Sequence, residues 1–342
     1  MALQIRQAAG GARTGARRIE TVFFGGGTPS LLPVSQIIRL LELCRACFGV
    51  DPGTAEITIE VNPATIGLDG LRQLARAGFN RISMGAQSFI DRELRVLGRA
   101  HTAAQSGDTL RQARRAGFAN IAIDLMYGLP GQTVPSWRET LTAALELDPE
   151  HLSVYELTIE AGTPFAKLHG EGGLGLPGEE EVLAMLELTL GETAGRGLRR
   201  YEISNYARPG FECRHNVNYW RNGSYIGLGA GAVSSIGGRR CTAVADIEAY
   251  CRRTEAGESV IAEMEELGRE ARFRETVVMG LRMTGGISVR ELGHRFGIDA
   301  DEYYGGVLTR LSAAGLLVRE GDIIRLTGRG LLLANRVMAE LV

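Results

Sequence analysis

Between residues 20 and 160, short β-branched apolar runs alternate with longer stretches whose apolar residues recur at helical spacing. The runs predict strands at Thr21–Phe24, Glu56–Val61, 81–85, 120–125 and 151–157, and the stretches predict helices at Val34–Phe48, 67–77, 91–97, 102–116 and 136–147. Strict alternation of the two is the pattern of a parallel sheet with right-handed crossovers. The near-continuous apolar run from Ile121 to Leu125 reads as a strand buried on both faces. Polar residues gather at one end of these strands: 25–28, Glu60 with Asn62, Gln87 and Asp124. They are about 30 residues apart, one strand-plus-helix unit, so successive strands bring them to one mouth of an α/β barrel.

After residue 200 the alternation stops. Residues 201–240 are rich in Gly, Tyr, Asn and Arg, and 246–267 read as an acidic, helix-like stretch. Residues 268–342 look like a separate module: two or three helices, a small hairpin of 316–319 and 322–327 around Glu320-Gly321, and a last helix, a winged-helix-like topology. The division expected is therefore a partial barrel over 1–205, a connecting segment over 206–265 and a C-terminal module over 266–342. Residues 1–8 read as the tail of a helix and 9–19 as a Gly/Arg-rich turn feeding the strand at Thr21. An α/β barrel does not normally begin on half a helix, so either the sequence starts late or its first strand is supplied elsewhere.

Composition narrows the partners. The chain has 342 residues, 44% hydrophobic and 23% charged, with a formal net charge of −2, so no whole-molecule field draws it to nucleic acid or anionic lipid. Over 288–342, seven Arg face seven Asp plus Glu, and the basic footprint of a DNA-binding wing is absent. Five cysteines with no secretory leader argue against a disulfide framework and for a cytoplasmic location. No apolar run approaches the roughly 20 residues that span a bilayer.

The triplet Gly25-Gly26-Gly27, followed by Thr28-Pro29, connects a strand to a helix. Three missing Cβ atoms let a ligand approach the backbone and permit positive φ. No Gly-Lys-Ser/Thr follows, which excludes a phosphate loop. Glu60, Gln87 and Asp124, joined by Arg99, give two acids, an amide and a cation around one mouth, a cradle for a charged, hydroxyl-bearing cofactor. Cys44 and Cys47 fall on or near the apolar stripe of a helix and read as core thiols.

The strings FFGGGTPSLL, EVNP, GFNRISMGAQSF, LGRAH, IDLMYGLPGQT and HLSVYELTIEAGTPF resemble, in order, those of the oxygen-independent coproporphyrinogen III oxidase-like group of radical SAM proteins. The resemblance implies a radical-SAM barrel in which Gly25, Gly26, Gly27, Thr28, Glu60, Gln87, Arg99 and Asp124 contact S-adenosylmethionine, with Arg99 the natural partner of its carboxylate. Family members also carry a Cys-x3-Cys-x2-Cys loop that holds a four-iron four-sulfur cluster. This sequence has none: the resemblance implies a truncated N-terminus in which Thr21 begins the second strand and the first strand and cluster loop are missing, so no catalytic residue and no radical chemistry are assigned to it as it stands.

One string points to a branch. Cys213-Arg-His215-Asn216-Val-Asn-Tyr219-Trp220 is similar to the His-Asn-x-x-Tyr-Trp signature of the HemW branch, the haem chaperones. The resemblance implies haem bound by His215, Asn216, Tyr219 and Trp220, with His215 on the iron and the aromatic rings over the porphyrin; the alternative is a structural histidine beside a core tryptophan. Val233 stands where many members have His, and Cys241-Thr242 departs from the usual pattern, which removes a second ligand from that loop. The implied function is delivery of haem to a haem-requiring, respiratory client, with a homodimer as the expected assembly. The alternatives are an oxygen-independent coproporphyrinogen III oxidase and, from a different class, a winged-helix regulator. The C-terminal module is expected to close over the barrel mouth or to dock a client.

Overall fold

A computed structural model gives the fold and describes residues 1–11, 19–170 and 173–342. The predicted turn before Thr21 lies mostly outside the described residues. Seven strands form the main sheet: β1 (Thr21–Phe24), β2 (Glu56–Val61), β3 (Arg81–Gln87), β4 (Ile121–Tyr127), β5 (His151–Glu156), β6 (Arg199–Arg200) and β7 (Asn205–Ala207). Their order is β1-β2-β3-β4-β5-β7-β6. The first five run parallel, and β7 and β6 close the far side antiparallel. The alternation of strand and helix is thus realised as a partial α/β barrel.

The strands are not apolar on both faces. Period-2 alternation sends Ile57, Ile59, Val61, Ile82, Met84, Ala86, Ile121, Ile123, Leu125, Leu152 and Val154 outward, where they form one core with Ile37, Leu41, Leu71, Leu74, Leu110, Trp137 and Leu141 of the crossover helices. The inner set is polar: Glu56, Thr58, Glu60 and Asn62 from β2 and the residue after it; Arg81, Ser83, Gly85 and Gln87 from β3; Asp124 from β4; His151 and Ser153 from β5. The 121–125 run is therefore not buried as an apolar strand on both faces: Asp124, expected at the mouth, turns inward from within it.

The helices begin and end for local reasons. Thr102 and Thr133 cap theirs with reciprocal capping boxes, each hydroxyl accepting from the third residue's N–H. Gly49, Gly78 and Gly117 stop the preceding helices in the left-handed conformation. The Asp246-capped helix Ile247–Ala256 ends the same way at Gly257. The acidic stretch therefore does not stay helical: Ile261–Glu266 becomes β10, paired with β9 (Arg239–Ala243), which pairs in turn with β8 (Val233–Ile236).

Residues 269–342 gather around a second core of Phe273, Val277, Leu281, Leu292, Phe296, Leu311, Leu317, Ile324 and Val337. The expected hairpin forms as β12 (Leu317–Glu320) and β13 (Ile323–Leu326), extended by the short β11 (Ile287–Ser288). This module packs on the helix Arg214–Trp220 and the 200–204 segment. Arg295 donates to the carbonyls of Arg221 and Asn222 at 3.0 and 2.6 Å, and Thr284 N–H donates to the Tyr201 carbonyl. No helix among the described residues is long and apolar enough to cross a membrane.

Candidate functional site

At the C-terminal ends of β1–β4 lies a cavity of about 230 Å³ lined by Gly27, Thr28, Glu60, Val61, Asn62, Ser83, Gly85, Gln87, Arg99 and Asp124. The residues expected on one mouth thus meet there. Gly25 and Gly26 stand at the same rim, where the Gly26 N–H donates to Glu60 Oε2 at 3.2 Å. The triplet divides its work: a Cβ on Gly25 would sit 2.5 Å from the Phe23 ring and 2.9 Å from the Glu60 carboxyl carbon, whereas Gly26 and Gly27, at φ of +79° and +131°, face open space. Gly25 is small so that the Phe23 ring and Glu60 can lie against it; the other two are glycine because the turn needs positive φ.

A hydrogen-bonded chain fixes the opposite wall. Asn62 Nδ2 donates to Thr28 Oγ1 at 2.9 Å, and Arg99 Nη2 donates to Asn62 Oδ1 at 2.7 Å and to the Gly85 carbonyl at 2.9 Å. Arg99 is therefore oriented by neutral acceptors and keeps its charge for a ligand. Gln87 has φ of +67°, uncommon for a residue with a side chain, just where the β3–β4 register shifts. The irregularity re-aims its amide at the cavity.

The acids feel one another. Burial raises the Glu60 pKa and the charge of Asp124 raises it further, against the Gly26 N–H. Burial also raises that of Asp124, opposed by hydroxyls of Ser153 and Ser83 and by Arg81 and Arg99. Ser83 Oγ lies 3.2 Å from both Asp124 oxygens. Burial lowers the Arg99 pKa while Asp124 supports it. Two carboxylates, one oriented guanidinium, amides and hydroxyls within one small polar cavity suit a zwitterionic ligand with a polyhydroxyl part, so the donor set fits S-adenosylmethionine. Ser83 and Gly85 were missed in the sequence, although counting back by twos from Gln87 along β3 reaches both.

The cysteines do not fit a cluster. Cys44 and Cys47 lie in the helix Val34–Phe48, with burial pushing the Cys44 thiol up to about 11. Cys213 is buried beside Glu56. No three His, Cys, Asp or Glu side chains converge among the described residues.

His215, Asn216, Tyr219 and Trp220 lie together on the helix Arg214–Trp220, which starts against Thr21 and Glu56 at the N-terminal ends of β1 and β2, and none of them lines this cavity. Glu56 caps that helix, accepting from the Arg214 and His215 N–H groups at 3.1 Å each. Both His215 ring nitrogens are engaged: Nδ1 with Thr21 Oγ1 at 2.9 Å and Nε2 with the Tyr219 hydroxyl at 3.1 Å. The ring stacks on Phe23, centroids 5.0 Å apart, and burial, aided by Arg81, pulls its pKa down to about 4. Trp220 carries the Arg282 guanidinium 4.3 Å above its ring. In this conformation the string knits barrel to C-terminal module, with neither a free imidazole nor an uncovered indole. The module does not close over the cavity, since none of the lining residues comes from it.

A parallel sheet with a glycine turn and a ring of polar strand ends is the radical SAM architecture, and the Radical SAM superfamily model matches residues 2–144, with the HemN C-terminal domain model matching 267–333. Proteins of that superfamily use S-adenosylmethionine with a four-iron four-sulfur cluster. Heme chaperone HemW of Bacillus subtilis is 36% identical over 326 residues, 95% of this chain and 86% of that protein. Heme chaperone HemW of Mycobacterium tuberculosis is 34% identical over 342 residues, covering 100% and 85%. Coproporphyrinogen III oxidase (HemN) from Escherichia coli superimposes with a TM-score of 0.84 at 27% identity, covering 99% of this chain and 81% of that one. The chain belongs to the HemW family.

Proposed function

We propose that this chain is a haem chaperone that binds S-adenosylmethionine in the polar cavity, binds haem through the His215 segment, and passes the haem to a haem-requiring, respiratory client. The observation that carries the reading is the convergence of Glu60, Gln87, Arg99 and Asp124 on one cavity in a chain that aligns over most of its length with relatives named heme chaperones. In the cofactor site, Arg99 would meet the ligand's carboxylate, Glu60 its ammonium group, and Asp124 its ribose hydroxyls; Gly25, Gly26, Gly27 and Thr28 give it backbone to lie against. S-adenosylmethionine supplies a sulfonium and an adenosyl group when bound. The described residues do not assemble cluster ligands, and no radical step is assigned.

For haem, His215 is the proposed iron ligand, with Asn216, Tyr219 and Trp220 around it. Ligation requires the imidazole to exchange its bond with Tyr219 or Thr21 for one with iron. Its low pKa keeps it neutral, the form that binds metal. Haem titration followed by the Soret band tests this: the wild type is expected to show a saturable band that His215→Ala weakens at least about tenfold, a loss of ~1.4 kcal/mol. Coincident titrations would remove His215 from the site, and no saturable binding by the wild type would remove the chaperone reading.

A further inference from the structure

One residue beyond Gln87 begins a buried polar network centred on Glu93, a side chain of the helix Asp91–Val96 that is 1% exposed. Ser88 Oγ donates to Glu93 Oε2 at 2.6 Å, Gln132 Nε2 donates to the same oxygen at 3.1 Å, and Ser136 Oγ donates to Oε1 at 2.9 Å. Behind them, Thr140 Oγ1 accepts from the Phe89 N–H at 3.2 Å and lies 3.1 Å from Ser88 Oγ, which accepts from the Ile90 N–H at 3.0 Å. Gln132 Oε1 accepts from the Leu129 N–H at 3.2 Å. One carboxylate thus joins the turn after β3, the loop after β4 and the helix Val134–Glu146. A buried network whose donors all meet acceptors holds its members in a single geometry.

The network borders the cavity at two points. Ser88 directly follows Gln87, which lines the cavity from a backbone at φ of +67°. The helix that carries Glu93 runs into Arg99, whose N–H donates to the Leu94 carbonyl at 2.9 Å. His101 Nε2 donates to the Ala86 carbonyl at 3.2 Å and ties the far side of that segment to β3. From this base the Arg99 guanidinium reaches Asn62 and the Gly85 carbonyl. A side chain that meets a ligand is placed only as well as the residues that hold its backbone. All three side chains on Glu93 donate to it, so the position calls for an acceptor at both oxygens.

We propose that Glu93 is a positioning residue for the S-adenosylmethionine site: its carboxylate pins the turn after β3 and the helix Asp91–Val96 to the loop after β4, and so fixes where Gln87 and Arg99 stand at the cavity. Glu93 itself is not among the residues that line the cavity. This role rests on the cofactor reading above, but its first test needs no ligand.

Glu93→Gln keeps the side-chain volume but turns one acceptor into a donor that faces donors. Because Arg99 Nη2 is held by two acceptors, nitrogen-15 NMR of the ligand-free wild type is expected to show distinct Nη signals for Arg99, assigned by their loss in Arg99→Lys. They should merge in Glu93→Gln and separate again in Glu93→Gln/Gln132→Glu, where donor and acceptor are exchanged between the two positions. Merged signals already in the wild type, unchanged signals in Glu93→Gln, or no recovery in a folded double variant overturn the proposal. Should Glu93→Gln fail to fold, Ser88→Ala is measured in its place, with merged signals expected and unchanged ones contradicting the role. Calorimetry then compares S-adenosylmethionine with 5′-methylthioadenosine, which lacks the amino-acid part that Arg99 would hold. Glu93→Gln should weaken the first at least about tenfold and the second less than about threefold, whereas equal losses would mark general loosening and overturn the proposal. If the Arg99 signals respond but the wild type binds no S-adenosylmethionine, the hold of Glu93 on Arg99 stands and the cofactor reading fails.

Discussion

A single methyl group distinguishes the roles within the glycine triplet. Gly26→Ala forces a side chain into φ of +79°, a cost of roughly 1–2 kcal/mol, and should lower the urea midpoint without any clash. Gly25→Ala should push on the Phe23 ring, 2.5 Å from the new Cβ, and on Glu60, whose carboxyl lies 2.9 Å away, and so weaken ligand binding as well as stability; an effect of Gly25→Ala on unfolding alone would contradict that division. His215 gives a pH prediction. Its folded pKa, about 4, lies below the ordinary 6.5, so the unfolded chain takes the proton first. The stabilisation is present above pH 6.5 and drains away as pH falls toward 4, by at most about 3 kcal/mol. His151, also pulled well below its ordinary value by burial, acts in the same sense. Urea unfolding between pH 7 and 4.5 should therefore show a shallower loss of stability in His215→Gln than in wild type, and parallel curves would contradict the account.

At the scale of elements, the junction between barrel and C-terminal module hangs on a few side chains. Arg282 stacks over Trp220 and lies 3.8 Å from Glu202, which is fully buried and raised in pKa by that burial. Arg282→Met keeps the stem but leaves the carboxylate without its cation, and should cost about 2–4 kcal/mol, seen as earlier loss of the module in limited proteolysis. An unchanged cleavage pattern would show that the junction is held elsewhere. The elements themselves were largely legible because period 2 and period 3.6 differ clearly here: Thr21–Phe24, Val34–Phe48 and Glu56–Val61 fall where the pattern put them. Two features escaped. Ile261–Glu266 carries charge like a solvated helix, and only its pairing with β9 makes it a strand. Which face of β4 was polar depended on one residue, Asp124, inside an apolar run.

For the whole molecule, the two ends of the barrel carry different work. The C-terminal ends of β1–β4 converge on the cavity, and the N-terminal ends of β1 and β2 hold the His215 helix that couples to the second core. The cavity was legible because one-per-unit spacing of polar strand ends is a property of sequence. The employment of both His215 nitrogens and the covering of Trp220 were not, since their partners Thr21, Phe23 and Arg282 are distant in the chain. The central claim is that the polar strand ends form one ligand site. A crystal structure of the protein grown with S-adenosylmethionine tests it most directly: density for the ligand is predicted between Glu60, Arg99 and Asp124, with its backbone side on Gly26 and Gly27. Well-ordered density bound elsewhere, with that cavity left to water, would contradict the account.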